Sequence, residues 1–200
     1  LCYQLLQSSA PTVIKDLQSL IDAYPSEQEK RSEFYYEIRK KWNEKVGNNN
    51  QLSADEKAMR VAKTIFLNRT CFNGLFRVNK RGQFNVPIGS YESPSFPSEK
   101  QLLEVQESLQ KVKIHLSSFE SCIEWIDGNT FMYFDPPYRP LSDTAHFVSY
   151  SKVNFDDEDQ RSLAAVIRKL NSMNVSLLLS NSDPKNTVPE DDFFDSLYDG

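Results

Sequence analysis

Apolar residues in the first half of the chain recur at helical spacing. Over 12–23, Ile14, Leu17 and Ile21 share one face, which predicts a helix there. Ser26 followed by Glu29 reads as a capping box opening a second helix. On it Phe34, Ile38, Trp42 and Val46 recur every four residues until Gly47 and Asn48-Asn49-Asn50 end the pattern. A third helix has its box in Ser53 and Glu56 and an apolar face of Ala58, Ala62, Ile65 and Phe66. Two short β-like segments follow, Leu75–Val78 and Gln83–Val86. The link Asn79-Lys80-Arg81-Gly82 predicts a hairpin with basic residues at its tip.

The second half changes character. Ser98 starts a helix predicted to turn Leu102, Val105, Leu109 and Val112 inward, with short strands at Ile114–Leu116 and Thr130–Phe134. A helix over about 157–171 buries Leu163, Val166, Ile167 and Leu170, and Val175–Leu179 reads as a fully buried strand. Strand, helix and apolar strand predict a parallel βαβ unit, so the fold class is α/β. A mostly helical half and an α/β half predict two domains, with the boundary in Ser90–Ser98; no internal repeat is visible.

Composition narrows the class. No apolar run approaches the roughly 18 residues of a membrane helix, and Leu1-Cys2-Tyr3-Gln4 lacks the basic start and cleavage pattern of a signal peptide. Cys2, Cys71 and Cys122 are scattered and odd in number, which predicts reduced thiols filling core space and a cytoplasmic protein without disulfides. With no CxxC spacing, and with His115 and His146 each alone, no metal is expected. The net charge of −5 is uneven. Arg60 to Tyr91 holds six basic residues (Arg60, Lys63, Arg69, Arg77, Lys80, Arg81) and no acid, while the rest carries 17 basic and 28 acidic residues. Such a block is either a solvated basic face or an attractor of phosphates.

The chemistry concentrates in Phe131-Met132-Tyr133-Phe134-Asp135-Pro136-Pro137-Tyr138. An apolar strand ends directly in an acid, two prolines and an aromatic, at the carboxyl end where open α/β sheets bind ligands. Two prolines contribute no N–H, so neighbouring carbonyls are left as free acceptors. A carboxylate, a free carbonyl and a stacking aromatic on a stiff turn suit the gripping of an aromatic amine. Accepting both amine hydrogens, on Asp135 and the Pro136 carbonyl, favours a pyramidal nitrogen, and the carboxylate stabilises the positive charge that develops there. Tyr138 would stack on a base flipped out of its helix. The bland alternative is a rigid turn whose acid caps the next segment.

Asp135-Pro-Pro-Tyr is the catalytic motif of amino-methyltransferases acting on nucleic-acid bases, and its neighbours narrow the resemblance. The stretch from Asp135 through Arg139, Pro140 and Ser142 to Tyr150 resembles the active-site strand and loop of the Dam-type (D12 class) DNA adenine-N6 methyltransferases. So does Leu179-Ser180-Asn181-Ser182 at the next strand's end. The run Phe66–Tyr91 resembles that family's target-recognition hairpin nearly position for position. The resemblance implies a partial Rossmann-like S-adenosylmethionine-dependent core with an inserted recognition domain: 1–10 and 98–200 as parts of the core, 11–97 as the helical and hairpin insert. It further implies S-adenosyl-L-methionine as cofactor, touched by Asp135 and Phe119, and double-stranded DNA as partner, hence a nucleoid-associated protein serving restriction-modification, repair or regulation. Asp135, Pro136, Pro137 and Tyr138 would form the catalytic motif. Phe72, with Asn73 beside it, would wedge into the base stack, Arg77 would read a guanine, and Leu75 and Pro87 would meet thymine methyls, together implying a GATC-like site. Asn68, Arg69, Lys80 and Arg81 complete the implied DNA surface, with Lys80 and Arg81 on phosphates. For Phe72 and Leu75 the alternative is hairpin core; for Arg77 it is a surface salt bridge.

Departures from the family pattern are specific. Ser90 stands where a basic residue is usual, and Ser117-Ser118-Phe119 replaces a Gly-Asp-Phe-like turn. No two of the six glycines fall in a GxG arrangement. The glycine-rich cofactor loop is therefore expected before Leu1 and the last strands after Gly200, which keeps open an inactive DNA-binding remnant. Methylation of RNA or of a cytosine amine is disfavoured by the aspartate at the first motif position and by the hairpin.

Overall fold

A computed structural model describes residues 1–44, 47, 51–139 and 155–199. The expected continuation of the motif loop, Pro140–Tyr150, lies outside them, as do Val46 and His146. The chain forms two compact units, Leu1–Ile114 and His115–Gly200.

The first unit is helical. Helix α1 spans Cys2–Asp22 and buries Leu6, Ala10, Val13, Leu17 and Leu20 at alternating spacings of four and three. It starts well before the predicted position 12. Pro11 does not open the helix; instead Ser9 leaves helical angles (φ −148°, ψ 36°) and absorbs the missing N–H as a kink. Helix α2, Gln28–Asn43, buries Tyr35, Ile38 and Trp42. Its N-cap is Glu27 and makes no side-chain cap bond, so the Ser26–Glu29 box does not form. Helix α3, Ala54–Thr70, has the predicted box, with Glu56 N–H donating to Ser53 Oγ at 3.2 Å. Ala58, Val61, Ala62, Phe66 and Leu67 are buried along it.

Helix α4, Glu99–Leu109, is capped reciprocally by Ser98 and Gln101. Only Leu102 is buried on it; Val105 and Val112 are exposed, contrary to their predicted inward face. It packs on α1, and Gln7 Nε2 donates to Leu109 O and Val112 O at 2.6 and 2.8 Å. That contact draws the helix into the first unit, so the compact units divide later than the composition shift at 90–98.

The second unit contains the predicted βαβ element. Strands β1 (Phe131–Phe134) and β2 (Ser176–Leu179) pair in parallel, with Phe131 opposite Ser176 and Phe134 opposite Leu179. They are linked through helix α5, Asp157–Ser172, which is capped by Asp156 and buries Leu163, Val166 and Leu170. Strand β2 is not fully buried. It alternates, with Leu177 turned to the cluster of Val166, Leu170, Val175 and Cys122, and Leu178 54 % exposed. Residues 114–116 form no strand, and Leu116 is wholly exposed; among the described residues β1 and β2 pair only with each other. A short helix α6, Phe193–Tyr198, packs on α5.

No helix among the described residues is long and apolar enough to cross a membrane, and no cluster of metal-ligating side chains occurs among them. Cys71 and Cys122 are buried free thiols, and burial pushes both up from the ordinary thiol range.

Candidate functional site

The motif loop leaves β1 at Phe134, whose carbonyl accepts the last ladder bond, from Ser180 N–H at 2.9 Å. Asp135 follows immediately and is exposed at the strand's carboxyl end. Ser180, the residue after β2, lies beside it because the two strands run in parallel register. Its hydroxyl donates to Asp135 Oδ1 at 2.9 Å and lies 2.7 Å from the Tyr138 hydroxyl. An ionised carboxylate only accepts, and a serine has one proton, so Tyr138 must donate to Ser180 and Ser180 to Asp135. Tyr138 is 53 % exposed, leaving its ring faces accessible. The Oδ2 of Asp135 and the carbonyl of Pro136 have no partner among the described residues, so two acceptors stand open beside an exposed aromatic ring. Among the described residues, no backbone N–H donates to the Asp135 side chain.

The residue after the motif is tied down more firmly. Arg139 forks onto Asp157 of α5, with Nε–Oδ1 at 2.8 Å and Nη2–Oδ2 at 3.1 Å. Its Nη1 bonds Asp191 Oδ2 at 2.7 Å, and its plane lies 4.3 Å from the centre of the Phe193 ring. The Phe193 N–H and Arg139 together hold the Asp191 carboxyl below the usual carboxylate range. Phe119, in a 3-10 turn spanning Phe119–Trp125, is half-buried and packs edge-on against Phe155 with ring centres 5.9 Å apart. His115 stacks on Trp125 with ring centres 4.4 Å apart.

In the first unit the segment 71–88 is a hairpin with little ladder of its own. Its regular pairing amounts to isolated antiparallel bridges, Val78 with Phe84 and Cys71 with Ile88, rather than the two strands expected. The turn closes through Asn79, whose N–H donates to Gln83 O at 2.8 Å and whose carbonyl accepts from Gly82 N–H at 2.7 Å. Gly82 sits at φ +75°, where a β-carbon is disfavoured. The polar face of α2 supplies the missing bonds. Asn43 grips Phe84 by donating to its carbonyl (3.1 Å) and accepting from its N–H (2.8 Å). Arg39 Nη1 and the Tyr35 hydroxyl both donate to Val86 O at 2.9 Å. Tyr35 is fully buried, which pushes its phenol well above the ordinary range.

This frame displays most of the residues singled out from sequence. Phe72 is 51 % exposed, so it is not hairpin core, and its N–H donates to Pro87 O at 2.9 Å, which brings Phe72 and Pro87 together. Asn73 adopts φ 52° beside it. Leu75 packs partly buried against the core. Arg77 is exposed, and its Nε donates to the neutral Asn85 side chain at 2.9 Å rather than to an acid. Lys80 and Arg81 are exposed at the tip. Asn68 is turned to Gly74 O at 2.5 Å, and Arg69 donates to Ser95 O at 2.7 Å, so both brace the loop. The basic block separates into two groups. Arg60 is buried, 4.1 Å over the Trp42 ring and bonded to its carbonyl, and burial, with Lys41 and Arg60 nearby, lowers the Lys63 pKa. Arg69, Arg77, Lys80 and Arg81 remain on the surface.

Residues 2–200 match the profile of the D12 class N6 adenine-specific DNA methyltransferases. The chain is 45% identical over its whole length to the type II methyltransferase M.MjaIII of Methanocaldococcus jannaschii, covering 65% of that protein. It is 33% identical to the type II methyltransferase M1.LlaDCHI of Lactococcus lactis subsp. cremoris, over 90% of the chain and 61% of the relative. With the DNA adenine methylase of Escherichia coli K12 it shares 35% identity, over 76% of the chain and 51% of the relative. The chain thus spans about half to two-thirds of the length of these relatives. It belongs to the D12 class N6 adenine-specific DNA methyltransferase family.

Proposed function

We propose that the protein carrying this sequence transfers a methyl group from S-adenosylmethionine to N6 of an adenine in double-stranded DNA, at a GATC-like site. The observation that carries the reading is the pair of acceptors, Asp135 Oδ2 and Pro136 O, that no donor among the described residues occupies, beside the exposed Tyr138 ring at the carboxyl end of β1. An adenine amine has two N–H donors and a lone pair delocalised into the ring. Two acceptors placed together bind both donors and favour the pyramidal nitrogen, while the carboxylate offsets the charge gained on attack. Tyr138 offers a ring face to hold the flipped base. When bound, the cofactor supplies the electrophilic methyl group. The residues present fit part of that ligand: Asp135 presents an unshared carboxylate oxygen, and Phe119 is a half-buried aromatic in the same unit.

The first unit supplies recognition in this reading. Phe72 is the exposed apolar wedge with Asn73 beside it, Arg77 presents forked donors to a guanine edge, and Leu75 and Pro87 are apolar surfaces for thymine methyls. Lys80 and Arg81 meet phosphates. A labelled-cofactor assay of the full-length protein on duplexes with and without GATC tests the reading. Transfer confined to GATC duplexes and abolished by Asp135→Ala, with DNA affinity nearly intact, is expected. DNA binding with no transfer by the unaltered protein would instead mark an inactive remnant.

A further inference from the structure

Gln160 is a polar side chain with no solvent exposure, in the first turn of α5. Buried amides need partners, and both of its ends are occupied. Its Nε2 donates to the Pro137 carbonyl at 3.3 Å, and its Oε1 accepts from Asn181 Nδ2 at 3.0 Å. The polarity of this chain is fixed from its far end. The Ser182 N–H can only donate, and it donates to Asn181 Oδ1 at 2.9 Å. Asn181 must therefore present its NH2 to Gln160, and Gln160 must present its own NH2 to Pro137.

The motif loop needs such a bond because of its prolines. Pro136 and Pro137 have no N–H, so at these two positions the backbone can be held only through its carbonyls. The Pro137 oxygen shares a rigid peptide plane with the Tyr138 nitrogen. Holding that oxygen fixes the plane from which the Tyr138 side chain departs, and it leaves the preceding carbonyl, that of Pro136, as the open acceptor. On the other side of Tyr138, Arg139 is bound to Asp157, one turn before Gln160 on the same helix.

We propose that Gln160 is a positioning residue for methyl transfer: through the Pro137 carbonyl it sets the peptide plane that aims Tyr138 and frees Pro136 O for the amine. This rests on the function proposed above. The test uses the full-length protein and two variants. Gln160→Met keeps length and apolar bulk but cannot donate, and Asn181→Ala removes the group that orients the amide. Single-turnover methyl transfer at saturating DNA and cofactor is measured beside the Kd for DNA. Gln160→Met is expected to slow transfer by roughly 10–100-fold with the Kd changed less than about twofold, because displacement at the reacting centre acts on rate rather than on binding. Asn181→Ala shifts the rate the same way by less. A Gln160→Met rate equal to the unaltered protein, or equal losses in rate and affinity, overturns the role. If Gln160→Met fails to fold by circular dichroism, Asn181→Ala decides, and an unaffected rate there overturns it. An unaltered protein inactive on every duplex refutes the function and this role with it; active protein with unaffected variants refutes the role alone.

Discussion

Replacing Ser180 with alanine isolates the hydrogen-bond chain under the motif. The hydroxyl lies 2.9 Å from Asp135 Oδ1 and 2.7 Å from the Tyr138 hydroxyl, so one atom's removal frees both side chains. In the free protein the loss is small. Asp135 is exposed and Tyr138 is 53 % exposed, so water replaces both bonds, and folding stability should fall by less than about 1 kcal/mol. In a complex that excludes water, a bond to a charged acceptor contributes about 1.5–3 kcal/mol. At 1.36 kcal/mol per decade of rate, its loss slows transfer by roughly 10–100-fold. The assay is single-turnover transfer of labelled methyl to a duplex at saturating DNA and cofactor, with thermal unfolding recorded in parallel. Ser180→Thr, which restores the hydroxyl, should regain most of the rate. A Ser180→Ala rate within about twofold of the unaltered protein refutes the reasoning. So does a threonine variant as slow as the alanine variant, which would point to packing.

Arg77→Ala should relax discrimination at one base pair by about 1–3 kcal/mol, read as the ratio of affinities for matched and mismatched duplexes, whereas Lys80→Gln should weaken all duplexes alike and reduce the salt slope by about one. Tyr35→Phe should cost only about 0.5–1.5 kcal/mol in urea unfolding, because Arg39 still satisfies Val86 O. Adding Arg39→Met orphans that carbonyl, so the double variant should lose more than the sum of the singles. Acidification should loosen the Arg139–Asp191 tether. The Asp191 carboxyl is depressed by the Phe193 N–H and by Arg139, so its contribution is complete above the ordinary aspartate value of about 4 and disappears as pH falls through the lower folded value. Hydrogen exchange at Phe193 should therefore be flat from about pH 5 to 8, after correction for the intrinsic rate, and rise below that window. A rise near neutrality would contradict the assignment.

What could be read from sequence was what depends on local pattern. The parallel βαβ unit followed from an apolar strand, a periodic helix and a second apolar run, and the Ser53–Glu56 box formed with Ser53 as the N-cap of α3. The Ser26–Glu29 box failed although its residues were correct, since the helix begins one residue later than that box requires. Val105 and Val112 had helical spacing, but α4 offers its face to α1 only around Leu102 and Leu109. The motif was visible because it is unusual in sequence, and Phe72 through the family resemblance of the run around it. Ser180's contact with Asp135, and Gln160's with Pro137, span 45 and 23 positions and depend on strand register, which one sequence does not display. Tyr35, Arg39 and Asn43 did leave a signal. They recur every four residues beside the apolar stripe of α2 and so share one line along the helix.

Both candidate surfaces are stretches of backbone short of their own hydrogen bonds. In the motif loop two prolines delete donors, and the side chains of Gln160 and Arg139 supply the anchorage. In the hairpin the ladder is reduced to isolated bridges, and Asn43, Arg39 and Tyr35 supply it from α2. A regular ladder would hold these segments more strongly, but it would also consume the carbonyls and restrict the side chains that a base or a groove must meet. Anchoring from a neighbouring helix fixes chosen atoms, Pro137 O and Val86 O, while among the described residues no donor takes Pro136 O and the Phe72 ring stays exposed. Geometry at each surface therefore depends on helix side chains that touch no ligand, and a substitution on α2 should alter target discrimination while one on α5 alters the rate of transfer.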